Sequence, residues 1–243
     1  MSESEKADQA AAERRQQAIG VESGAARAAV LGINDGLVTN TALILGVVGA
    51  TDAVGVVQLT GLASLVAGAC SMAAGEYVSM RAQVELLERL LEDERQALIA
   101  APDRERAVIR GMLEKHGFAP AMAEQATRDL PRNVDRALNV YSRAVLGLNP
   151  DELGSPRAAA LTSAVAFVTG ALIPLLPWYL ASHPVALGAS LALSGLAALG
   201  IGGALGHLSN HRVVRSALRQ LLIVALASAV TYLVGRLLGV VAA

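Results

Sequence analysis

The 243-residue sequence contains few charged, aromatic and cysteine residues. Charged residues make up 17% of the chain, below the roughly 25% that is usual for soluble domains, and aromatic residues only 3%. The single cysteine, Cys70, excludes an intrachain disulfide framework and any metal site built from several cysteines. The formal charge of −1 argues against a chain built mainly to bind nucleic acid, which would be expected to be basic. The sequence contains no nucleophile–base pair, phosphate-binding loop or cofactor motif, so we expect neither an enzyme nor a bound cofactor.

Apolar residues are abundant, at 53% of the chain, and the charges are unevenly placed. Residues 81–157 hold 25 of the 41 charged residues and residues 1–27 hold nine. The other seven are spread over 139 residues. This distribution indicates a membrane protein with one soluble insertion.

Five apolar stretches are long enough to cross a bilayer core about 30 Å thick. They cover residues 28–50, 55–80, 158–180, 184–206 and 220–241. The sequence therefore predicts an all-α, multi-pass membrane protein with five transmembrane helices. The predicted organisation is a tail (1–27), transmembrane helices one and two (28–80), a helical insertion (81–157) and transmembrane helices three to five (158–243).

The positions of Lys and Arg predict the orientation, because cytoplasmic loops carry an excess of these residues. They precede span one, fill the insertion, and occur between spans four and five as Arg212, Arg215 and Arg219. The loops at 51–54 and 181–183 have none. We therefore expect the N-terminus and residues 81–157 in the cytoplasm and the C-terminus outside. Arg outnumbers Lys 18 to 2 and Ala is abundant, which suggests a GC-rich genome and hence a bacterial-type inner membrane rather than a vacuole.

Small residues and prolines mark the expected contacts and bends of the spans. Gly32 and Gly36, and again Gly202 and Gly206, form the small-xxx-small steps that let helix backbones approach closely in lipid. Two prolines near the end of span three, Pro174 and Pro177, predict a kink.

The insertion is predicted to be a three-helix unit. Span two has no stop signal, so we expect one helix to continue to about Ala100, ahead of Pro102. Further helices are predicted at 103–116, capped by Gly117, at 120–130 and at 132–148. The unit is too short to build much core, and we expect it to pack against a second copy of the chain in a homodimer.

Carboxylates on the long helix allow two interpretations. Glu85, Glu88 and Glu92 share one face, and carboxylates at that spacing can hold a divalent cation. The alternative is a solvated charged face, because Arg81, Arg89 and Arg95 interleave at salt-bridge spacing.

The intramembrane carboxylates Asp35 and Glu76 are the main functional candidates, because ionisable groups are costly inside a span. Thr39 lies one turn from Asp35, and Met72 lies one turn from Glu76. Carboxylate oxygen suits harder cations and thioether sulfur softer ones, so the set fits a first-row ion such as Fe²⁺. The same carboxylates can bind protons in exchange for metal. The alternatives are a structural hydrogen bond or, for Glu76, a side chain that extends to the interface.

The same residues carry a resemblance to a known family. Residues 35–50 (DGLVTNTALILGVVGA) and 71–83 (SMAAGEYVSMRAQ) resemble signature segments of the vacuolar iron transporter family, and residues 151–178 resemble the stretch that enters its third span. The resemblance implies a five-span protomer that dimerises, with a metal path along the dimer axis. It also implies Fe²⁺ leaving the cytoplasm in exchange for protons, and it places Asp35, Met72 and Glu76 on the path.

The insertion is similar to the family's cytoplasmic metal-binding domain but lacks much of its ligand set. Two of that domain's Glu positions match Glu94 and Glu105, whereas two others fall on Ala97 and Val108. Its Met-Met-x-x-Glu run falls on Tyr141, Ser142 and Val145. A cytoplasmic metal site is therefore expected to be reduced, with Glu85, Glu88 and Glu92 as additional candidate ligands.

These observations favour a divalent-metal exporter, Fe²⁺ first and Mn²⁺ second, driven by proton exchange. The alternative is a non-transporting membrane scaffold whose helical insertion serves as a docking or dimerisation module. The intramembrane carboxylates argue against the scaffold, which has no need of them.

Overall fold

The computed structural model describes residues 24–115, 117–128, 134–135, 138–139, 155–208, 210 and 212–242. This part of the chain is helical and contains no strand, which confirms the predicted all-α class. Its helices are α1 (Gly24–Ala50), α2 (Val54–Ala100), α3 (Pro102–Lys115), α4 (Pro120–Thr127), α5 (Pro156–Leu175), α6 (Pro177–Leu180), α7 (His183–Leu208) and α8 (Val213–Ala242).

Five helices of the described part are long and apolar enough to cross a membrane, as predicted. The candidate spans are Ala29–Ala50, Val54–Ala97, Pro156–Leu175, His183–His207 and Val213–Gly239. The second span continues without a break to Ala100, which confirms the long helix expected from the missing stop signal. The chain divides into two units. The first consists of Met1–Val78 and Pro156–Ala243, and the second of Ser79–Ser155, so one boundary falls inside α2.

The predicted proline kink in the third span is a break between two helices. Helix α5 ends at Leu175 and α6 begins at Pro177, with one turn residue between them. Pro177 has no N–H and cannot donate to the carbonyl four residues earlier, so the helical ladder stops there. The Ser190 hydroxyl of α7 donates to the Pro174 carbonyl at 2.8 Å, which supplies a partner near the break.

Helix α1 is held between α5 and α8 by contacts of backbone on backbone. A Cβ atom placed on Gly36 would lie 2.1 Å from the Phe167 carbonyl oxygen, and one on Gly170 would lie 2.1 Å from that of Ile33. On the other side of α1, where α8 packs, a Cβ on Gly235 would lie 1.8 Å from the Gly46 carbonyl oxygen. No other residue has a side chain small enough for these contacts, so glycine is required where the helices meet.

A hydrophobic cluster joins α1, α2, α5, α6 and the start of α7. Its buried members are Ile44, Val48, Val57, Leu65, Phe167, Ala171, Leu175, Trp178 and Ala186. Some polar groups inside the bundle are paired with backbone groups: the Asn40 amide nitrogen donates to the Ala171 carbonyl at 2.8 Å, and the Thr41 hydroxyl donates to the Leu37 carbonyl at 2.6 Å. Because lipid offers no hydrogen bonds, such pairs keep buried polar atoms satisfied.

The second unit contains the contact between α3 and α4. Ile109, Leu113, Ala123 and Thr127 are its buried residues on these helices. Gly117 has a φ of 92° just after α3, as predicted for its cap, and the Phe118 N–H reaches back to the Leu113 carbonyl at 3.1 Å. The helix predicted at 132–148 lies mostly outside the described residues.

Arg215 and Arg219, which precede the fifth span predicted at residues 220–241, lie on a helix. Helix α8 begins at Val213, so both arginines are on its first two turns. The helix extends toward the N-terminus from residue 220 because this stretch also contains apolar residues, such as Val214 and Leu218. The long arginine stems let the charged ends stay in water even on a membrane helix.

Candidate functional site

Asp35 lies on the face of α1 that its own chain leaves uncovered. The side chains of Leu31, Asp35 and Thr39 follow one another at four-residue spacing and are all exposed. The Thr39 hydroxyl, one turn away, donates to Asp35 Oδ1 at 3.1 Å. Asp35 thus has a local hydrogen bond and is open on its other side.

Met72 and Glu76 lie on the stripe of α2 that faces the bundle. Both are half-buried, and Met72 packs against the hydrophobic cluster of Phe167 and its neighbours. One turn before Met72, a Cβ on Gly68 would lie 2.2 Å from the Phe167 ring, so the ring rests directly on the α2 backbone. The three predicted path residues therefore occupy two different environments, one carboxylate on an uncovered face and one beside the core.

Among the residues that the structure describes, no three His, Cys, Asp or Glu side chains gather closely enough to hold one metal ion. The candidate donors are the carboxylates of Asp35 and Glu76, the Thr39 hydroxyl and the Met72 thioether. Oxygen and sulfur donors together suit a first-row transition-metal ion.

The side chains of Asn34 and Gln220, next to Asp35, form a contact that the sequence did not reveal. The Gln220 amide of α8 donates to the side-chain oxygen of Asn34, the residue before Asp35. Gln220 is buried, and the bond fixes the turn of α1 that carries Asp35. The signal available in the sequence was a pair of amides inside otherwise apolar runs, but their separation of 186 residues hid the pairing.

Two of the candidate ligands on the long helix, Glu85 and Glu92, are bonded to neighbouring side chains. Glu85 Oε1 accepts from Arg81 Nε at 2.8 Å, the ion pair expected if this face is a solvated charged surface. Glu92 Oε1 accepts from Gln96 at 3.2 Å, and Glu88 is exposed. The side chains of Glu94 and Glu105 lie outside the described set, as do Tyr141, Ser142 and Val145.

Glu124 pairs with two arginines among the described residues of the second unit. Arg110 Nη1 donates to Glu124 Oε2 at 2.8 Å, and Arg106 donates to Oε1 of the same carboxylate. The hydrogen bond from Arg110 lowers the pKa of Glu124, and the same hydrogen bond raises the pKa of Arg110. This group joins α3 to α4 and leaves Glu124 occupied by arginine rather than available to a metal.

Comparison with known proteins identifies one family over most of the chain. The model of the VIT family matches residues 26–236. Vacuolar iron transporter 1 of Arabidopsis thaliana is 31% identical over 204 residues, which cover 84% of this chain and 82% of the relative. Its counterpart in Oryza sativa subsp. japonica is 32% identical over 207 residues, covering 85% and 82%. Vacuolar iron transporter homolog 1 of the same rice is 36% identical over 219 residues, covering 88% and 73%.

Proposed function

The chain belongs to the VIT family, and from this membership we propose that it carries a divalent metal ion through the membrane, Fe²⁺ first and Mn²⁺ second, in exchange for protons. It is a multi-pass membrane protein and not an enzyme. The similar plant proteins are named as iron transporters, which supports iron as the substrate. The observation that carries the proposal is the pair of carboxylates inside the spans, accompanied by a thioether.

In this proposal, Asp35 and Glu76 bind the metal and exchange it for protons, and Met72 disfavours hard cations. The hydrogen bond from Thr39 holds one Asp35 oxygen and leaves the other available to an ion. A thioether binds Mg²⁺ and Ca²⁺ poorly, so Met72 beside Glu76 selects against the abundant cellular cations.

A second copy of the chain is proposed to complete the path. An ionised carboxylate facing lipid at mid-membrane costs about 2.5–3.5 kcal/mol on insertion scales, so such groups face a protein interior or a water-filled cavity. Asp35 is exposed in the single chain. A homodimer that places the uncovered faces of two α1 helices together converts this cost into a two-carboxylate metal path.

The proposed direction is out of the cytoplasm, across the inner membrane of the cell. The excess of Lys and Arg supports a cytoplasmic N-terminus and insertion, and an outer C-terminus. A reduced cytoplasmic metal site, formed by Glu94 and Glu105 with Glu85, Glu88 and Glu92, is the proposed point of entry.

The test is metal flux in proteoliposomes with an imposed pH gradient, comparing Fe²⁺ with Mn²⁺. Asp35→Asn and Glu76→Gln are each expected to lower the rate at least tenfold, because each removes a negative ligand and a proton carrier. Asp52→Asn is the matched control, since this carboxylate lies in the loop after α1 and is 96% exposed. We expect it to transport like the wild type.

Two results would contradict the proposal. Absence of metal flux in the wild type under every gradient would favour the scaffold alternative. Equal rates for Asp35→Asn, Glu76→Gln and Asp52→Asn would remove the two intramembrane carboxylates from the path. Proton coupling fails separately if metal flux is the same with and without the pH gradient.

A further inference from the structure

Three arginines at the start of α8 line a single cavity. Arg212, Arg215 and Arg219 surround a space of about 680 Å³ together with Asn210 and Ser216. Arg212 directly precedes α8, and Arg215 and Arg219, four residues apart, lie on one face of the helix. The cavity is within the usual range for small-molecule sites, about 300–1,000 Å³.

The positive charge of this cavity is uncompensated within the described part of the chain. None of the three arginines forms an ion pair with a described carboxylate, and the first turn of α8 contains no acidic residue. The N-terminal end of a helix already carries a partial positive charge, where acidic rather than basic side chains are favourable. Three cations at that end therefore create a strong local preference for an anion.

The backbone around the cavity is fixed by close packing of α7 on α8. A Cβ on Gly202 would lie 2.7 Å from the Ser216 carbonyl oxygen, and one on Gly206 would lie 2.9 Å from Ser216 Cβ. The turn between the helices is closed by a hydrogen bond of 3.1 Å from the Asn210 N–H to the His207 carbonyl. The arginines therefore extend from a rigid frame, which lowers the entropy lost when they bind a ligand.

An apolar strip runs along α8 beside the arginines. Val214, Leu218 and Leu222 recur every four residues and are exposed by 71%, 55% and 57%. The candidate membrane span begins at Val213, so the arginines lie at its end, where headgroups are expected, and the strip continues from there along the span. A ligand that carries a phosphate next to hydrocarbon can contact both the arginine-lined cavity and the apolar strip, whereas a free phosphate can contact only the cavity.

We propose that this cavity binds the phosphate of an anionic lipid headgroup, with the lipid's acyl chains lying along the apolar strip of α8. Arginine suits this role because its planar guanidinium donates two parallel hydrogen bonds to phosphate oxygens. The inference depends on the chain being a membrane protein and not on the metal that it carries.

The test uses the full-length protein in a neutral detergent, titrated with phosphatidylglycerol or phosphatidylcholine that carry identical dioleoyl chains. Native mass spectrometry counts the lipids retained per chain. We expect phosphatidylglycerol to bind at least tenfold more tightly, and Arg215→Gln to reduce that affinity by roughly tenfold, the loss of one charge-assisted hydrogen bond. Arg236→Gln, the same charge change near the other end of α8, is the matched control and should bind like the wild type.

Equal affinity for the two lipids, or equal losses in Arg215→Gln and Arg236→Gln, would overturn the proposal. A third arm adds inorganic phosphate at about 10 mM; if it displaces phosphatidylglycerol completely, the site takes a solution anion and the lipid assignment is wrong.

The wild type alone gives a further check that needs no variant. Its affinity for phosphatidylglycerol should fall between 0.1 M and 1 M salt, as the screening length shortens from about 10 Å to about 3 Å, and constant affinity would contradict the proposal.

Discussion

The contact between α1 and α5 gives the most demanding test of the fold, through the substitution Gly36→Ala. The added Cβ would lie 2.1 Å from the Phe167 carbonyl oxygen and 2.9 Å from the Ala171 nitrogen. An ordinary carbon–oxygen contact is about 3.3 Å, so the two helices must separate by about 1.2 Å. Both atoms are backbone, and no side-chain rotation can relieve the clash.

The expected cost follows from how α1 is held. Helix α8 contacts the other side of α1 through Gly235, so α1 cannot move away from α5 without opposing that second contact. Overpacking costs about 1–3 kcal/mol, and the clamped position of α1 favours the upper end. For a chain of this size, about 3 kcal/mol corresponds to a fall of roughly 6–12 °C in melting temperature.

The matched control is Gly200→Ala, on α7. A Cβ at Gly200 has no heavy atom within 4 Å, so only the change in helix propensity remains. That change favours Ala by about 0.8–1 kcal/mol and is common to both variants, so it cancels in their difference. The assay is thermal unfolding of both proteins in the same detergent. A Gly36→Ala protein that melts at or above Gly200→Ala would refute the backbone contact.

Two further predictions concern single hydrogen bonds. Thr39→Val removes the hydroxyl that donates to Asp35. It should lower metal flux about tenfold or more, because a hydrogen bond to a charged group contributes about 1.5–3 kcal/mol. Thr169→Val removes an exposed α5 hydroxyl that is bonded to its own helix and should leave flux unchanged, so equal rates for both variants would contradict the role of Thr39. Because the pKa of Glu124 is lower in the folded protein, its ionised form stabilises the second unit at pH values above the ordinary pKa of 4.5. This stabilisation is lost as the pH falls through the lower folded pKa. Glu124→Gln, which removes the ionised partner of Arg110, should weaken that acid dependence of amide hydrogen exchange in α3 and α4; an undiminished dependence would count against the ion pair.

Local signals were sufficient to predict the elements of the fold from the sequence. The apolar runs gave five spans, the missing stop signal gave a helix reaching Ala100, and Pro177 and Gly117 marked a break and a cap. Each of these depends on residues within a few positions of one another, so hydropathy and backbone sterics decide them.

Pairing between distant helices was not predictable in the same way. The bond from Gln220 to Asn34 and the two arginines on Glu124 depend on how helices are rotated against each other. Hydropathy could not give that rotation, because the membrane helices are apolar on most faces and small residues occur on several of them. For the same reason the sequence indicated Asp35 and Glu76 as candidates but not that one faces outward and the other inward.

The packing of α1 and α2 differs in a way that bears on how the proposed metal path can change shape. Helix α1 meets its neighbours backbone to backbone at Gly36 and Gly235, so turning it would break contacts on two sides at once. Helix α2 is met by side-chain ends, the Phe167 ring over Gly68 and Leu175 Cδ1 over Gly61. Such contacts adjust by rotation about side-chain bonds, at a lower cost than separating two backbones. A change in the distance between Asp35 and Glu76 therefore costs less free energy when α2 moves than when α1 does.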